Sequence, residues 1–472
     1  MIEVLEREAV EVADDLSAGA LLASIRERKA AEERAAADLL ELAGRWADLH
    51  PPESIHSAAT FAVAGCEHEE PIAGVGAPLV AEFCIPELGA VLGMSSTGAK
   101  KLIGHALELR HRLPRLWDLV QAGVVPAWRA RSVAEVTIHT TPALTPEAAA
   151  FVDSQVAAVA GRVAPAQLDR LVAEAIKRYD LATDDPAADP EDGYLAVDPR
   201  HVTIDEEDVH FAGTMRVEAE LDIADALDLG HAVSRGAAAL KALGSAESLD
   251  VRRAKALGDL ARIQTALDLS AATANDTGTE RKPADLPAAR EVVIHAHFDA
   301  STVGATTEGT RTVFGPTGRI EEGQRLVLLD QVRARCGDSH TKVTIKPVID
   351  LAAELSASGY AIPDRIREQV VLRDRTCVFP WCTRPARRSD VDHIVEFDHD
   401  AVAEGRPQPG PTTTSNLACL CRSHHRLKTH TAWRYRMVAP GVFEWTSPHG
   451  HHYRRDHSGS SPIAEAQPPD RP

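Results

Sequence analysis

The residues best suited to chemistry crowd into one stretch near the C-terminus. Between Arg373 and Trp433 the chain reads Cys377-Val-Phe-Pro-Trp-Cys382, then Val391-Asp392-His393-Ile394. A loop ending Gly410-Pro-Thr-Thr-Thr-Ser-Asn416-Leu417 follows, then Cys421-Arg-Ser-His424-His425-Arg426-Leu427-Lys428. Two kinds of chemistry are superposed here. The first is a metal staple. Cys377 and Cys382 can sit on one knuckle, and Cys421 with His424 on the next. Thiolates and an imidazole at this spacing suit a closed, tetrahedral Zn²⁺ site. A small module with long loops has little core, so a structural metal would stabilise it. Cys419 competes with Cys421, because residues two apart on a strand share a face. The spacing to His424 favours Cys421.

The second chemistry is hydrolytic. Breaking a phosphodiester needs a base to activate water, a cation to neutralise developing charge, and donors to hold the phosphate. Asp392 and His393 supply a carboxylate and an imidazole side by side, and on a strand their side chains diverge. One can face a metal and the other a water. His393 is the natural general base, since an unperturbed imidazole titrates at about 6.5, near working pH. His425 adjoins His424, and neighbouring helix positions point about 100° apart. One imidazole can therefore serve the zinc while the other enters an active site. Lys428, three residues beyond His425 on the same helix face, suits a phosphate contact.

Asp-His, then Asn, then His-x-x-Lys after a Cys-x-x-His knuckle resembles the HNH endonuclease motif, carried on a ββα-metal fold. The whole chain resembles actinobacterial proteins that join a long N-terminal domain of unknown function to a C-terminal HNH nuclease. That wider likeness runs through Leu109-Arg-His-Arg-Leu-Pro114, Ala127-Trp-Arg-Ala-Arg131 and Leu249-Asp-Val-Arg-Arg-Ala254. The resemblance implies a metal-dependent DNA endonuclease leaving 5′-phosphate and 3′-hydroxyl ends. It implies His393 as general base and Asp392 and His425 as ligands of a catalytic divalent metal (Mg²⁺, Mn²⁺ or Ni²⁺). Asn416 would orient His393 or help bind that metal. Cys377, Cys382, Cys421 and His424 become the structural zinc set, and Arg422, Arg426 and Lys428 the candidate phosphate contacts. The chain departs from the pattern at Trp381, where relatives often carry Gly. It departs again at Pro409-Gly410-Pro411-Thr412, where they carry Gly-Gly-Pro-Thr, and at Thr429, where some carry a further His. The competing reading is a catalytically silent, zinc-containing protein that binds DNA as a regulator or mobile-element accessory.

The elements that must position these groups follow from hydrophobic pattern and breakers. Residues 2–50 read as helix, with Leu39, Leu42, Trp46 and Leu49 at helical spacing. Residues 51–78 are broken by Pro51-Pro52 and several glycines and read as loop. Helix returns from Ala81 to Tyr179, punctuated by Pro114, Pro126, Pro142 and Pro165. The acidic, Pro-rich stretch 182–197 reads as linker. His201–Ile204 and His210–Leu221 alternate as a hairpin, Ala224–Leu269 is helical, and 271–289 is a second linker. Glu291–Phe298, Arg311–Phe314 and Lys342–Ile349 read as strands, with a turn at Gly315–Gly318. The expected architecture is mostly α with short β hairpins in the N-terminal body, followed by a C-terminal zinc-stapled ββα-metal module. The expected divisions are a helical domain 1–181, an α+β continuation 199–350, the HNH module 364–457, and a disordered tail 458–472.

The chain has 472 residues, enough for two or three domains, and 44% hydrophobic residues, which excludes a wholly disordered chain. The N-terminus is acidic and lacks a signal-like apolar run, and no run reaches the ~18–20 residues that span a bilayer. The expectation is a cytoplasmic protein that engages no membrane. Seven cysteines, an odd number, do not read as a disulfide framework. The net charge of −19 argues against a protein coated along its whole length in nucleic acid. That charge is uneven. Residues 364–457 hold 15 Lys/Arg against 11 Asp/Glu, a net of +4, which leaves −23 for the rest. Such asymmetry suggests that one part of the chain meets a polyanion, and DNA is the partner the resemblance implies.

Two weaker signals remain. Ile85–Leu102 has the layout of a helix-turn-helix, with Lys100 and Lys101 on its second helix. In an acidic body a plain helical hairpin is the favoured reading. His449, His451 and His452 near the end read as solvated, and His399 as a loop residue rather than a ligand.

Overall fold

The computed structural model describes residues 17–58, 67–183, 200–209, 215–274, 296–298, 317–320, 326–328, 351 and 353–463. The expected linkers and the strand readings at Arg311–Phe314 and Lys342–Ile349 lie wholly or mostly outside them, as do Cys66 and Cys336. The chain divides into two units: Met1–Ala196 together with Pro347–Pro472, and Val197–Lys346. The N- and C-terminal segments, read from sequence as separate domains, thus belong to one unit. Among the described residues no helix is long and apolar enough to cross a membrane.

Among the described residues, eight helices build the N-terminal part of the first unit. They are α1 (Ala18–Asp48), α2 (Glu53–Ala58), α3 (Cys84–Val91), α4 (Ser96–Arg112), α5 (Pro114–Gln121), α6 (Ala127–His139), α7 (Pro146–Val156) and α8 (Pro165–Thr183). The short helix α2 falls where a loop was expected. Prolines mark the starts as their missing N–H dictates: Pro114 and Pro165 open α5 and α8, and Pro126 precedes α6. Ser95 caps α4, its Oγ accepting from the Gly98 N–H at 3.2 Å.

On α1 the buried stripe is not the one that the large side chains mark. Ala37, Leu40, Ala43, Gly44 and Ala47 face inward, while Leu39, Leu42 and Leu49 are exposed. Small residues win because α1 packs closely on α4; a Cβ on Gly44 would lie 3.8 Å from that of Ala106. The core between the helices combines such alanines with Leu109, Leu113, Leu116 and Val152.

One buried ion pair crosses this core. Arg112 donates to both carboxylate oxygens of Glu108, at 2.7 and 3.0 Å. The same carboxylate also accepts from the Thr137 hydroxyl at 2.7 Å and the Gly74 N–H at 2.9 Å. Its side chain is 0% exposed. Removing one partner of such a pair strands the other charge and costs about 3–5 kcal/mol. Glu108→Ala is therefore expected to lower the denaturation midpoint sharply in a urea titration. An unchanged midpoint would show that the network is idle.

The second unit contains a hairpin, His201–Val209 with Met215–Glu220, whose register shifts between Ile204 and Val209. Two packed helices follow, α9 (Ile223–Ala242) and α10 (Leu249–Ala274). A three-stranded antiparallel sheet joins Ala296–Phe298, Thr317–Ile320 and Leu326–Leu328. Thr317 and Gly318, expected within a turn, stand in its middle strand.

The C-terminal part of the first unit begins earlier and ends later than expected. Ser356–Ala357 pairs with Thr412–Thr413. Helix Asp364–Asp374 packs on an antiparallel ribbon of Asp390–His393 and Leu417–Leu420, and helix Arg422–His430 follows that ribbon directly. A four-stranded antiparallel sheet completes it: Arg434–Ala439, Val442–Thr446, His452–Asp456 and Gly459–Pro462. The last strand corrects the expectation of disorder from Ser458. Its partner strand supplies the backbone hydrogen bonds that a Ser-rich segment would otherwise leave to water. The expectation of a poor core is also corrected. Trp433, Trp445, Phe379, Phe443, Tyr435 and Tyr453 are all buried together.

Candidate functional site

Cys377, Cys382, Cys421 and His424 are all buried, and their ligand atoms lie within 4.8 Å of one another. The bulge Cys377–Cys382 supplies two thiols. Cys421 caps the helix Arg422–His430 and His424 lies in its first turn. His424 Nδ1 is 3.2 Å from Cys421 Sγ and 3.4 Å from Cys377 Sγ. Three sulfurs and one nitrogen converging on a point are the donor set of a closed tetrahedral site, and the group could hold a metal such as zinc. Burial pushes the Cys377 thiol well above its ordinary range, whereas hydrogen bonds from Cys377 and Cys382 hold Cys421 far below it. Burial opposes a charge on His424, but hydrogen bonds to Cys382 and Cys421 outweigh it and raise the imidazole to about 9.

Cys419, the competing candidate, points elsewhere. It packs against Ile366, Val370 and Leu417, and burial pushes its thiol well up. The strand therefore ends between Cys419 and Cys421, and the two sulfurs do not share a face as an unbroken strand would require. Trp381 sits at φ 56°, the left-handed region that favours glycine. That geometry gives a physical reason for glycine at this position; here the indole packs on Gly93 instead.

A second cluster lies on the ribbon. Asp392 and His393 point to opposite faces of one strand, as alternation requires. His425 Nε2 lies 3.2 Å from Asp392 Oδ1, and its Nδ1 lies 2.9 Å from Asp390 Oδ2. Asp390 went unnoticed in the sequence. Its signal was the Asp-x-Asp alternation, which puts both carboxylates on one face. It fixes the ring so that Nε2 faces Asp392. Burial alone would push Asp392 up, but the His425 hydrogen bond and the Lys428 charge hold it below the usual carboxylate range.

His393 is 5% exposed, and burial lowers its basicity below the ordinary imidazole value. Burial thus favours the neutral ring over the charged one. The Thr412 hydroxyl gives its single proton to the Gly359 carbonyl at 2.7 Å, so it accepts from His393 Nε2–H at 2.9 Å. That arrangement leaves Nδ1 as the free base. Tyr360 stacks on the imidazole, with centroids 5.4 Å apart.

Asn416 does not bond the His393 ring. Its Nδ2 donates to the carbonyls of Val395 and Pro411, both at 3.0 Å, and its Oδ1 accepts from Val395 N–H at 2.9 Å. It staples both ends of the 395–411 loop. Gly410 permits that closure, because a Cβ there would lie 2.1 Å from the Glu396 carbonyl oxygen.

The three basic candidates part company. Arg422 is 75% exposed and only loosely paired with Asp390, at 3.3 Å. Lys428 is buried, 3.1 Å from Asp392 Oδ2, and donates to the His393 carbonyl at 2.9 Å. Arg426 spans Glu82 with both terminal nitrogens, at 3.0 and 2.8 Å. The latter two are committed inside the protein rather than presented to solvent. Spacing could show their helix face but not the carboxylates opposite. His399 opens a short helix and packs on Tyr360 and Phe397. His449, read as solvated, is half-exposed but sits 2.9 Å from Glu87.

The Asp392 and Asp390 carboxylates raise His425 above the ordinary value of 6.5, the Asp392 hydrogen bond contributing most. A raised histidine stabilises the fold fully below its unfolded value and loses that contribution as pH climbs through the folded one. In zinc-loaded protein freed of other divalent ions the His425 NMR titration is expected to have its midpoint above 6.5. Mg²⁺ should lower the midpoint, since a cation on Nε2 competes with the proton. A midpoint at or below 6.5 without Mg²⁺ would refute the pairing.

The helix-turn-helix layout is present as α3, a turn and α4, yet its lysines are spent on the protein itself. Lys100 pairs with Glu70 and Lys101 with Glu135. Phe83 and Ala90, at the two ends of α3, belong to the same buried cluster as Cys377 and Trp445. The plain helical hairpin therefore describes this segment.

The chain is similar to uncharacterized proteins of Mycobacterium tuberculosis. One, from strain H37Rv, is 29% identical over 393 residues, covering 78% of this chain and 69% of that protein. Another, from strain CDC 1551, is 43% identical over 113 residues, covering 24% of this chain and 18% of its own length. No protein-family model matches. No solved structure matches either.

Proposed function

We propose that this protein is a metal-dependent endonuclease of the HNH type, hydrolysing DNA phosphodiester bonds. One observation carries the reading. Asp392 Oδ1 and His425 Nε2 stand 3.2 Å apart, and the next residue of the strand, His393, carries an imidazole with one nitrogen left free. A carboxylate and an imidazole that close can share one divalent cation, and the ribbon followed by a helix matches the expected ββα order.

His393 Nδ1 takes the proton from the attacking water. Thr412 holds the tautomer that leaves this nitrogen free. Asp392 and His425 would hold the Mg²⁺, Mn²⁺ or Ni²⁺ ion, which when bound supplies charge stabilisation for the departing 3′-oxygen. Asp390 aims His425, and Lys428 offsets the charge of Asp392. Arg422 is the basic side chain of the three best placed for a backbone phosphate, and binding through it should weaken with salt. Cys377, Cys382, Cys421 and His424 hold the structural zinc.

The test is nicking of supercoiled plasmid with each divalent ion, beside a gel-shift measurement. Metal-dependent nicking that requires His393 supports the nuclease. Binding without cleavage, retained in His393→Ala, supports the silent DNA-binding alternative.

A further inference from the structure

The metal ligand His424 is held from outside its own module. Its Nδ1 faces the sulfurs, and its Nε2 lies 2.9 Å from Ser96 Oγ, at the first residue of α4. The two residues are 328 apart in sequence. Phe379 stacks on the ring at 3.9 Å and fixes its plane. Around this contact the segment from Glu82 to Gly93, which holds α3, meets the C-terminal part again. Glu82 takes Arg426, Glu87 takes the backbone N–H and the ring of His449, and Gly93 takes the Trp381 indole.

When Nδ1 of a histidine ligates a metal, the ring proton resides on Nε2 and needs an acceptor. The Ser96 hydroxyl oxygen is the acceptor in reach. We propose that Ser96 is the outer hydrogen-bond partner of the metal ligand His424, so that the N-terminal helices set how tightly the metal is held. The link works in both directions. If docking of α3 and α4 tightens the metal site, metal binding tightens that docking by the same factor. This inference rests on the Cys₃His metal site and not on nuclease activity.

The experiment uses the full chain and zinc alone. Zinc affinity is measured by competition with a chromophoric chelator for wild type, Ser96→Ala, Ser96→Thr and Ser95→Ala. Ser96→Ala is expected to weaken zinc binding by about 10–100-fold, the usual cost of losing an outer-shell partner. Ser96→Thr, which keeps the hydroxyl, should restore most of it. Ser95→Ala removes the cap of α4 without touching His424, and should leave zinc affinity near wild type. In unmodified protein, stripping zinc should speed amide exchange over residues 84–104 and spare α7 and α8. Equal zinc affinity in Ser96→Ala and wild type, or equal losses in the Ser95 and Ser96 variants, overturns the proposal. So does an exchange pattern indifferent to zinc. A chain that binds no zinc at all overturns the metal site as well, which separates the two failures.

Discussion

Cys421→Ser is expected to remove the metal that the Cys₃His group could hold and to loosen the C-terminal part of the protein. The substitution is chosen because Cys421 is both a candidate ligand and the N-cap of the helix Arg422–His430, where it makes no side-chain cap. Serine is a good N-cap. Any loss of stability therefore reports the metal and not the helix start. The magnitudes favour a large effect. A structural zinc contributes about 10–16 kcal/mol in small zinc peptides at neutral pH. A whole domain is typically stable by only about 5–15 kcal/mol. The aromatic cluster of Trp433, Trp445 and Phe379 offsets part of the loss, so a partly ordered state with exposed aromatic surface is the expected product. Elemental analysis should give one zinc in wild type and none in the variant, with a lower melting temperature and altered near-ultraviolet dichroism. A variant that keeps its zinc and its melting temperature would sink the assignment.

On the proposed nuclease reading, His393→Ala is expected to slow plasmid nicking steeply while leaving the metal content and the fold in place. A positioned general base contributes about 10²–10⁴-fold to rate, so the loss should be of that order. His393 is a hydrogen-bonded side chain at the end of a strand, and its ring also packs against Tyr360. Its removal opens a small polar gap rather than emptying a core. Thr412→Val, which keeps volume but not the hydroxyl, should give a smaller loss, because the ring keeps its place but can take the other tautomer. Nicking by His393→Ala at the wild-type rate would remove the imidazole from the mechanism.

The site shows where legibility stops. Cys377, Cys382, Cys421 and His424 could be read together because their chemistry is written in residue types and short spacings. Each pair sits on one local turn, and only the meeting of the two turns is long-range. The placing of Asp392 and His393 on opposite faces followed from strand alternation in the same way. Asp390 carried such a mark in its Asp-x-Asp alternation with Asp392, but Thr412 and Tyr360 carried none. They touch His393 from a separate strand and a loop, and a Thr or Tyr there shows nothing local of such a contact. The spacing of Leu39, Leu42, Trp46 and Leu49 marks a helix but not which of its faces is buried. Close packing on α4 selects Ala37, Leu40, Ala43, Gly44 and Ala47.

From the order of residues alone came the helical body, the prolines that open its helices, the two Cys/His pairs that could hold a metal and the adjacent Asp392 and His393. Each of these is written within a few positions along the chain. Folding alone settled the rest: that the two ends of the chain form one unit, that Arg426 and Lys428 are spent on Glu82 and Asp392, and that Ser96 reaches the ring of His424. Burial explains the difference. A charged or polar group removed from water must find a partner, and which partner it finds depends on surfaces brought together from opposite ends of the chain.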